Sequence, residues 1–231
     1  MTGESFNQEG FQEFILEHNV VKFFEETVTL NSGRKSNFYV SWRRVADDVY
    51  TLDKLTDFIV AFVRSKGIEA DSFFGVPEGA TGLALILDYK HARQAKGYGP
   101  GSHAFAMGRG KPKEHGNPSD KYFIGMPKGR TIIVEDTTTT GKSVLETLDR
   151  LREAGVSVDI AIALINRNEK RDDGKTVTEA LKDRGVQYYA MSDLLDILPE
   201  IFRKTHPGER VGRLVEDYFK MYGEREVKLV S

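Results

Sequence analysis

Cysteine is absent from all 231 residues. That absence excludes disulfides, thiolate zinc sites and cysteine nucleophiles together, and it is compatible with a reducing compartment. Long apolar runs are missing as well. Nowhere do the roughly 18 consecutive apolar residues of a membrane-spanning helix occur, and Met1-Thr-Gly-Glu-Ser5 has no basic stretch followed by an apolar one. The expectation is a cytoplasmic protein with no membrane partner. Charge of one sign is also nearly balanced out: 33 Lys and Arg face 35 Asp and Glu, a formal −2. No global field then attracts nucleic acid or an anionic surface, and any anion must be recognised locally. Repeats, low-complexity tracts and Pro/Gly/Ser linkers are lacking too. A chain that is 39% hydrophobic and 29% charged is expected to bury one core, as a single domain over residues 1–231.

What is present centres on Thr131-Ile-Ile-Val-Glu-Asp-Thr-Thr-Thr-Thr-Gly-Lys-Ser143. A β-branched run ends in two carboxylates. Four threonines and a glycine then lead into a segment with helical spacing, Leu145, Leu148 and Leu151 on one face and Ser143 with Glu146 as a capping box. This is strand, loop, helix. Such a loop gathers unpaired N–H groups and hydroxyls at the positive end of a helix dipole, where a phosphate binds. The tail Gly-Lys-Ser imitates a nucleoside triphosphate loop, but that motif needs glycine at 136, where the chain has Asp136. Two acids beside a phosphate loop suit a ligand with vicinal hydroxyls next to a phosphate, because hydroxyls donate to carboxylates. A ribose 5-phosphate group has both features.

The rest of the chain alternates. A helix is expected over 5–18, with Ser5 and Gln8 as its capping box, and a strand over 27–30. The basic turn Asn31-Ser-Gly-Arg-Lys-Ser36 precedes the aromatic run Phe38-Tyr-Val-Ser-Trp42. Taken alone, this reads first as a surface hairpin with rings toward the core; a planar anion held by cations and stacked on rings is the other reading. Helical spacing covers 51–66, a buried strand 71–76, and Pro77-Glu-Gly-Ala-Thr-Gly82 leads into a helix over 83–96. If these strands run parallel, the 77–82 loop and the Thr-rich loop lie on the same side and border one pocket. Between 97 and 120 only 103–107 reads as a strand. Arg109, Lys111, Lys113 and His115 crowd a loop with little to pack, which alone reads as solvated surface and otherwise as a binding loop. A strand over 156–165 has Arg167 just beyond its end, a helix over 176–184 and a strand over 187–191 follow, and the last forty residues are helical in pattern on both sides of Pro199. This order is that of an α/β protein with a doubly wound, mostly parallel sheet and a small N-terminal addition.

Val134-Glu-Asp-Thr-Thr-Thr-Thr-Gly141 resembles the phosphoribosyl pyrophosphate signature of the type I phosphoribosyltransferases. Three further stretches, in the right order along nearly the whole chain, are similar to the orotate phosphoribosyltransferase family. They are the Ser32-Gly-Arg-Lys-Ser36 turn with Phe38 and Tyr39, the loop Arg109-x3-Lys113-x-His115-Gly116, and Asn166-Arg-Asn-Glu169. The chain departs from the family's pattern at Asn31, Gly110 and the Pro77-Glu-Gly-Ala80 loop, where basic residues are often found; Glu78 adds negative charge and Lys111 compensates in part.

The resemblance implies the type I phosphoribosyltransferase fold, with residues 1–45 as a hood and 107–121 as a mobile loop. It implies transfer of the 5-phosphoribosyl group from phosphoribosyl pyrophosphate to orotate, with Mg2+ carried largely by substrate oxygens and no metal ligand assigned to the protein. Thr137, Thr138, Thr139, Thr140 and Gly141 would hold the 5-phosphate, with Lys35 and Lys111 also on the donor. Glu135 and Asp136 would accept from the ribose hydroxyls, and Arg109, Lys113 and His115 would neutralise the leaving group. Phe38, Tyr39, Thr139 and Arg167 would take orotate. The loop's cations would reach into the neighbouring subunit of a homodimer. A phosphoribosyltransferase for a purine or uracil, and a non-catalytic nucleotide-binding regulator of the same fold, are the alternatives.

Overall fold

A computed structural model describes residues 6–30, 32–110, 113–115 and 122–230. The elements run α1 (Gln8–Glu17), β1 (Val21–Thr29), β2 (Lys35–Val40), the single turn α2 (Arg43–Ala46), α3 (Val49–Ser65), β3 (Ser72–Gly75) and α4 (Thr81–Gln94). Two short strands follow, β4 (Met107–Gly108) and β5 (Phe123–Ile124), then β6 (Thr131–Thr138), α5 (Lys142–Glu153), β7 (Val158–Asn166) and α6 (Val177–Lys182). β8 (Gln187–Asp193), α7 (Leu194–Thr205) and α8 (Glu209–Tyr222) complete the order.

The main sheet has the order β3-β6-β7-β8, each neighbouring pair parallel. Successive residues of a strand face opposite sides. On β6, Ile132 and Val134 join the core formed with α1, α3, α4, α7 and α8, whereas Ile133 joins a second core with Leu148 and Leu151 of α5 and Leu181 of α6. Strands covered on both faces must be apolar at nearly every position, which is why 132–134 and 160–165 are unbroken runs. Fully burying a leucine such as Leu148 contributes about 2 kcal/mol. The sheet is therefore the doubly wound, parallel one that the alternation predicts. Within the 1–45 segment expected as a hood, β1 and β2 form an antiparallel hairpin, a separate two-stranded sheet. It is held by Phe38 stacked on Phe219, with ring centroids 5.3 Å apart, and by Phe23 edge-on to Phe202.

Several local expectations are corrected. α1 is capped by Asn7, whose side chain accepts from the Gly10 N–H at 3.0 Å; Ser5 lies outside the described residues. The strand expected over 27–30 is longer and carries a register shift between Phe23 and Val28. The 103–107 segment contributes only Met107 to a strand, paired to Ile124, and Phe105 is exposed. α5 begins at Lys142 with Gly141 as its N-cap, so Ser143 is not the cap.

One buried acid gives a pH signature. Asp88 on α4 accepts the Phe73 N–H at 2.7 Å through Oδ1, while its buried Oδ2 has no partner. Burial pushes its pKa from the usual 3.8 up to about 7, against the opposing pull of the Phe73 N–H. Folding thus favours the protonated form, and the stability it contributes is lost as pH rises from about 4 to about 7. Between pH 5 and 8 this is of order 2 kcal/mol. Asp88→Asn is expected to gain on the wild type as pH rises, read from melting temperatures at each pH; a constant offset between the two would overturn the assignment.

Candidate active site

β3 ends where Gly75 pairs with Val134, but β6 continues alongside β7 to Thr138, which pairs with Asn166. The last residues of β6, from Glu135 on, thus stand beyond their neighbour, at the carboxyl edge of the sheet where such folds place ligands. The loop after β3 turns back against them. A Cβ built on Gly79 would lie 2.7 Å from Asp136 Oδ2, so only glycine lets this backbone pass. The result is a cavity of about 400 Å3 bordered by Tyr39, Arg43, Glu78, Gly79, Glu135 and Asp136, among others.

The two acids are tightly placed. Glu135 Oε1 accepts the Asp136 N–H at 3.2 Å, and Asp136 Oδ1 accepts the Thr137 N–H at 2.7 Å. Burial, then the charge of Asp136, raises the Glu135 pKa well above the usual carboxylate range. Burial raises Asp136 too, opposed by the side-chain contact with Glu135, the Thr137 N–H and the charge of Arg43. Two buried carboxylates side by side are short of positive charge, and a cationic centre entering beside them is favoured.

Next to the acids lies a cup of about 130 Å3, lined by Ser32, Glu135 and residues 137–143. The first N–H groups of α5 have no side-chain cap, and Thr137 Oγ1 is buried without a partner. Unpaired donors at a helix N-terminus are the setting for a phosphate. The turn depends on Gly141, whose φ is +69° and whose Cβ would stand 2.4 Å from Val177 Cγ2. The Arg171 guanidinium donates to the Thr140 carbonyl and steadies the loop from outside. Gly141→Ala must fit a left-handed residue and move Val177; it is expected to weaken ribose 5-phosphate binding by about tenfold or more, measured by calorimetric titration. Wild-type affinity in that variant would remove the cup from phosphate binding.

The remaining expected residues divide. Thr137, Thr138, Thr139, Thr140 and Gly141 all line the cup, although the Thr138 hydroxyl is engaged by Tyr188 Oη and lies 3.4 Å from Asn166 Oδ1. Tyr39 borders the larger cavity. Phe38 does not: its ring is fully buried between Tyr218 and Phe219, because a strand residue next to a cavity-facing one points the other way. Phe38 is corrected to a core residue. Arg167 is also buried, with Nε donating to Glu169 Oε1 at 2.7 Å and its guanidinium 4.3 Å above the Phe38 ring. Lys35 is exposed and borders neither cavity. Arg109 lies in the stem of its loop, its N–H donating to the Tyr122 carbonyl at 2.8 Å. Lys113 and His115 are exposed and border neither cavity; Lys111 lies outside the described residues, as does Asn31.

Gly79 borders the site as expected of the 77–82 loop, while Ser32, Arg43 and Ser143 border it without having been given a role there. Ser32 and Ser143 lie in stretches already singled out, and Arg43 is the first of two arginines directly after the aromatic run.

No protein-family model matches the chain. An orotate phosphoribosyltransferase from Methanopyrus kandleri is 30% identical over 182 residues, 78% of this chain and 86% of that protein. The orotate phosphoribosyltransferase of Aeromonas salmonicida is 30% identical over 198 residues, 84% of this chain and 87% of its own. Among solved structures, the orotate phosphoribosyltransferase of Francisella tularensis shares the fold, with a TM-score of 0.66 at 20% identity over 93% of this chain and 100% of that one.

Proposed function

The chain belongs to the orotate phosphoribosyltransferase family, and we propose that its reaction is carried out on the floor formed by Glu135, Asp136 and the 137–141 loop. It transfers the 5-phosphoribosyl group from phosphoribosyl pyrophosphate to orotate, giving orotidine 5'-monophosphate and pyrophosphate. The observation that carries the site assignment is the junction of the two cavities: the phosphate-sized cup and the larger cavity share Glu135, Thr137 and Ser143. A 5-phosphate in the cup therefore sets the ribose against the acids and C1 toward the larger cavity.

At C1 the bond to pyrophosphate breaks as orotate N1 attacks, and positive charge builds on the ribose ring. Glu135 and Asp136 accept from the ribose hydroxyls and stabilise that charge through the buried field already described; neither has to form a covalent bond. Tyr39 offers a ring face to the planar acceptor. The cofactor is Mg2+, which supplies charge neutralisation to the departing pyrophosphate. Among the described residues no group of three His, Asp or Glu side chains forms a cage for it, and Glu135 and Asp136 fit an ion that keeps its waters and substrate oxygens and meets the protein through them.

Lys113, Arg109 and His115 neutralise the leaving group from the 107–121 loop. Lys113 and His115 stand away from the cavities of their own chain, which supports their entering the site of a second subunit in a homodimer. Cytoplasmic location is part of the same reading; among the described residues no helix is long and apolar enough to cross a membrane.

The test is spectrophotometric: loss of orotate absorbance with phosphoribosyl pyrophosphate and Mg2+, run beside purines and uracil. Orotate is expected to be consumed and the others not. Turnover of another base in its place would overturn the acceptor assignment.

A further inference from the structure

The larger cavity has an uneven charge. Its charged lining residues are three carboxylates, Glu78, Glu135 and Asp136, and one cation, Arg43. Arg43 opens α2 directly after the buried Trp42, and its side chain is exposed. Among the described residues its guanidinium makes no hydrogen bond and no ion pair, although its charge is felt at Asp136. An arginine that shares a cavity with three carboxylates and pairs with none of them is left for an anion.

The loop after β3 borders the same space. The N–H groups of Glu78 and Gly79 donate to no acceptor among the described residues, and Gly79 runs against the Asp136 carboxylate. This end of the cavity lies past the acids from the phosphate cup, hence on the C1 side of a ribose seated there. The group that needs cations at that end is the one that leaves with negative charge. It enters a wall already carrying three acids, on a loop, 77–80, without a basic residue.

We propose that Arg43 is a catalytic residue that binds the leaving pyrophosphate, acting within the same chain as Asp136 in the cavity that Glu78 and Gly79 also border. The assignment rests on the phosphoribosyl transfer reading above. Guanidinium groups match phosphate geometry with paired donors, so the contact strengthens as charge moves onto the departing oxygen.

The experiment uses the full-length protein with Arg43→Gln and Arg43→Lys. Inorganic pyrophosphate with Mg2+ is titrated calorimetrically, and KM is measured separately for phosphoribosyl pyrophosphate and for orotate. Arg43→Gln is expected to weaken pyrophosphate binding by about 10- to 100-fold and to raise KM for the donor, while KM for orotate stays within about twofold. Arg43→Lys should recover part of the loss. Melting temperatures should match the wild type, because the side chain has no structural partner. Unchanged pyrophosphate affinity in Arg43→Gln overturns the proposal, and so does a loss confined to orotate, which would place the arginine on the acceptor's carboxylate. Absence of orotate turnover by the wild type, with pyrophosphate binding still dependent on Arg43, would sink the acceptor assignment and leave Arg43 standing.

Discussion

Replacing Lys113 by alanine is expected to lower turnover by about two orders of magnitude or more, with the fold untouched. Removing a group that stabilises charge only in the transition state has that size of effect, and Lys113 is exposed and makes no ion pair among the described residues, so it has no packing to lose. Turnover of orotate and thermal melting, measured on the same preparation, separate the two consequences. An active Lys113→Ala protein would take the loop out of the mechanism. The same variant also tests the dimer. Co-expressed with an Asp136→Asn chain, it should regain activity, since sharing loops across subunits leaves one site with both residues intact. Two inactive parents that stay inactive when mixed would place the loop and the acids in one chain.

Glu169→Ala is expected to cost about 3–5 kcal/mol of stability, the range for breaking a buried ion pair by removing one partner, and to lower the melting temperature by roughly 10 °C. Glu169 is fully buried. Arg34 Nη1 donates to its Oε2 at 2.8 Å, Tyr218 Oη donates to the same oxygen at 2.8 Å, and Arg167 Nε donates to Oε1 at 2.7 Å. Its removal leaves two guanidinium groups, both nearly sealed from water, facing one another. Glu169→Gln keeps the shape but not the charge, and should fall between. A melting temperature within a degree or two of the wild type would show that water or rearranged partners replace the carboxylate.

The parallel sheet was legible in the sequence because its interior strands need apolar residues on both faces, and 132–134 and 160–165 satisfy that without exception. The phosphate cup was legible for a related reason: hydroxyls, a glycine and a helical stripe follow one another within a dozen residues. What was not legible depends on which way a side chain turns after long-range packing. Arg34 and Arg167 read as free cations for an anion, yet each is drawn onto Glu169, 135 residues from Arg34 in sequence. Phe38 and Tyr39 are adjacent aromatics, and nothing local decides which of them faces α8. Arg43 sits one residue past the aromatic run, on a single-turn helix whose position is set by packing and not by its own pattern. The N-cap of α5 escaped because Ser143 is the commoner capping type, while the left-handed Gly141 two residues earlier already turns the chain.

A two-stranded hairpin alone is marginal in water. Here the tip of the hood is tied down by Arg34, which also donates to the Lys170 carbonyl at 2.7 Å and lies 4.5 Å over the Tyr222 ring, and its back is held by Phe38 against Phe219. The wall carrying Tyr39 is thus fastened at two points and behaves as a rigid jaw. The Tyr39 side of the larger cavity is therefore set by folding before any ligand arrives, and a ring already held in place costs no ordering when an acceptor docks on it.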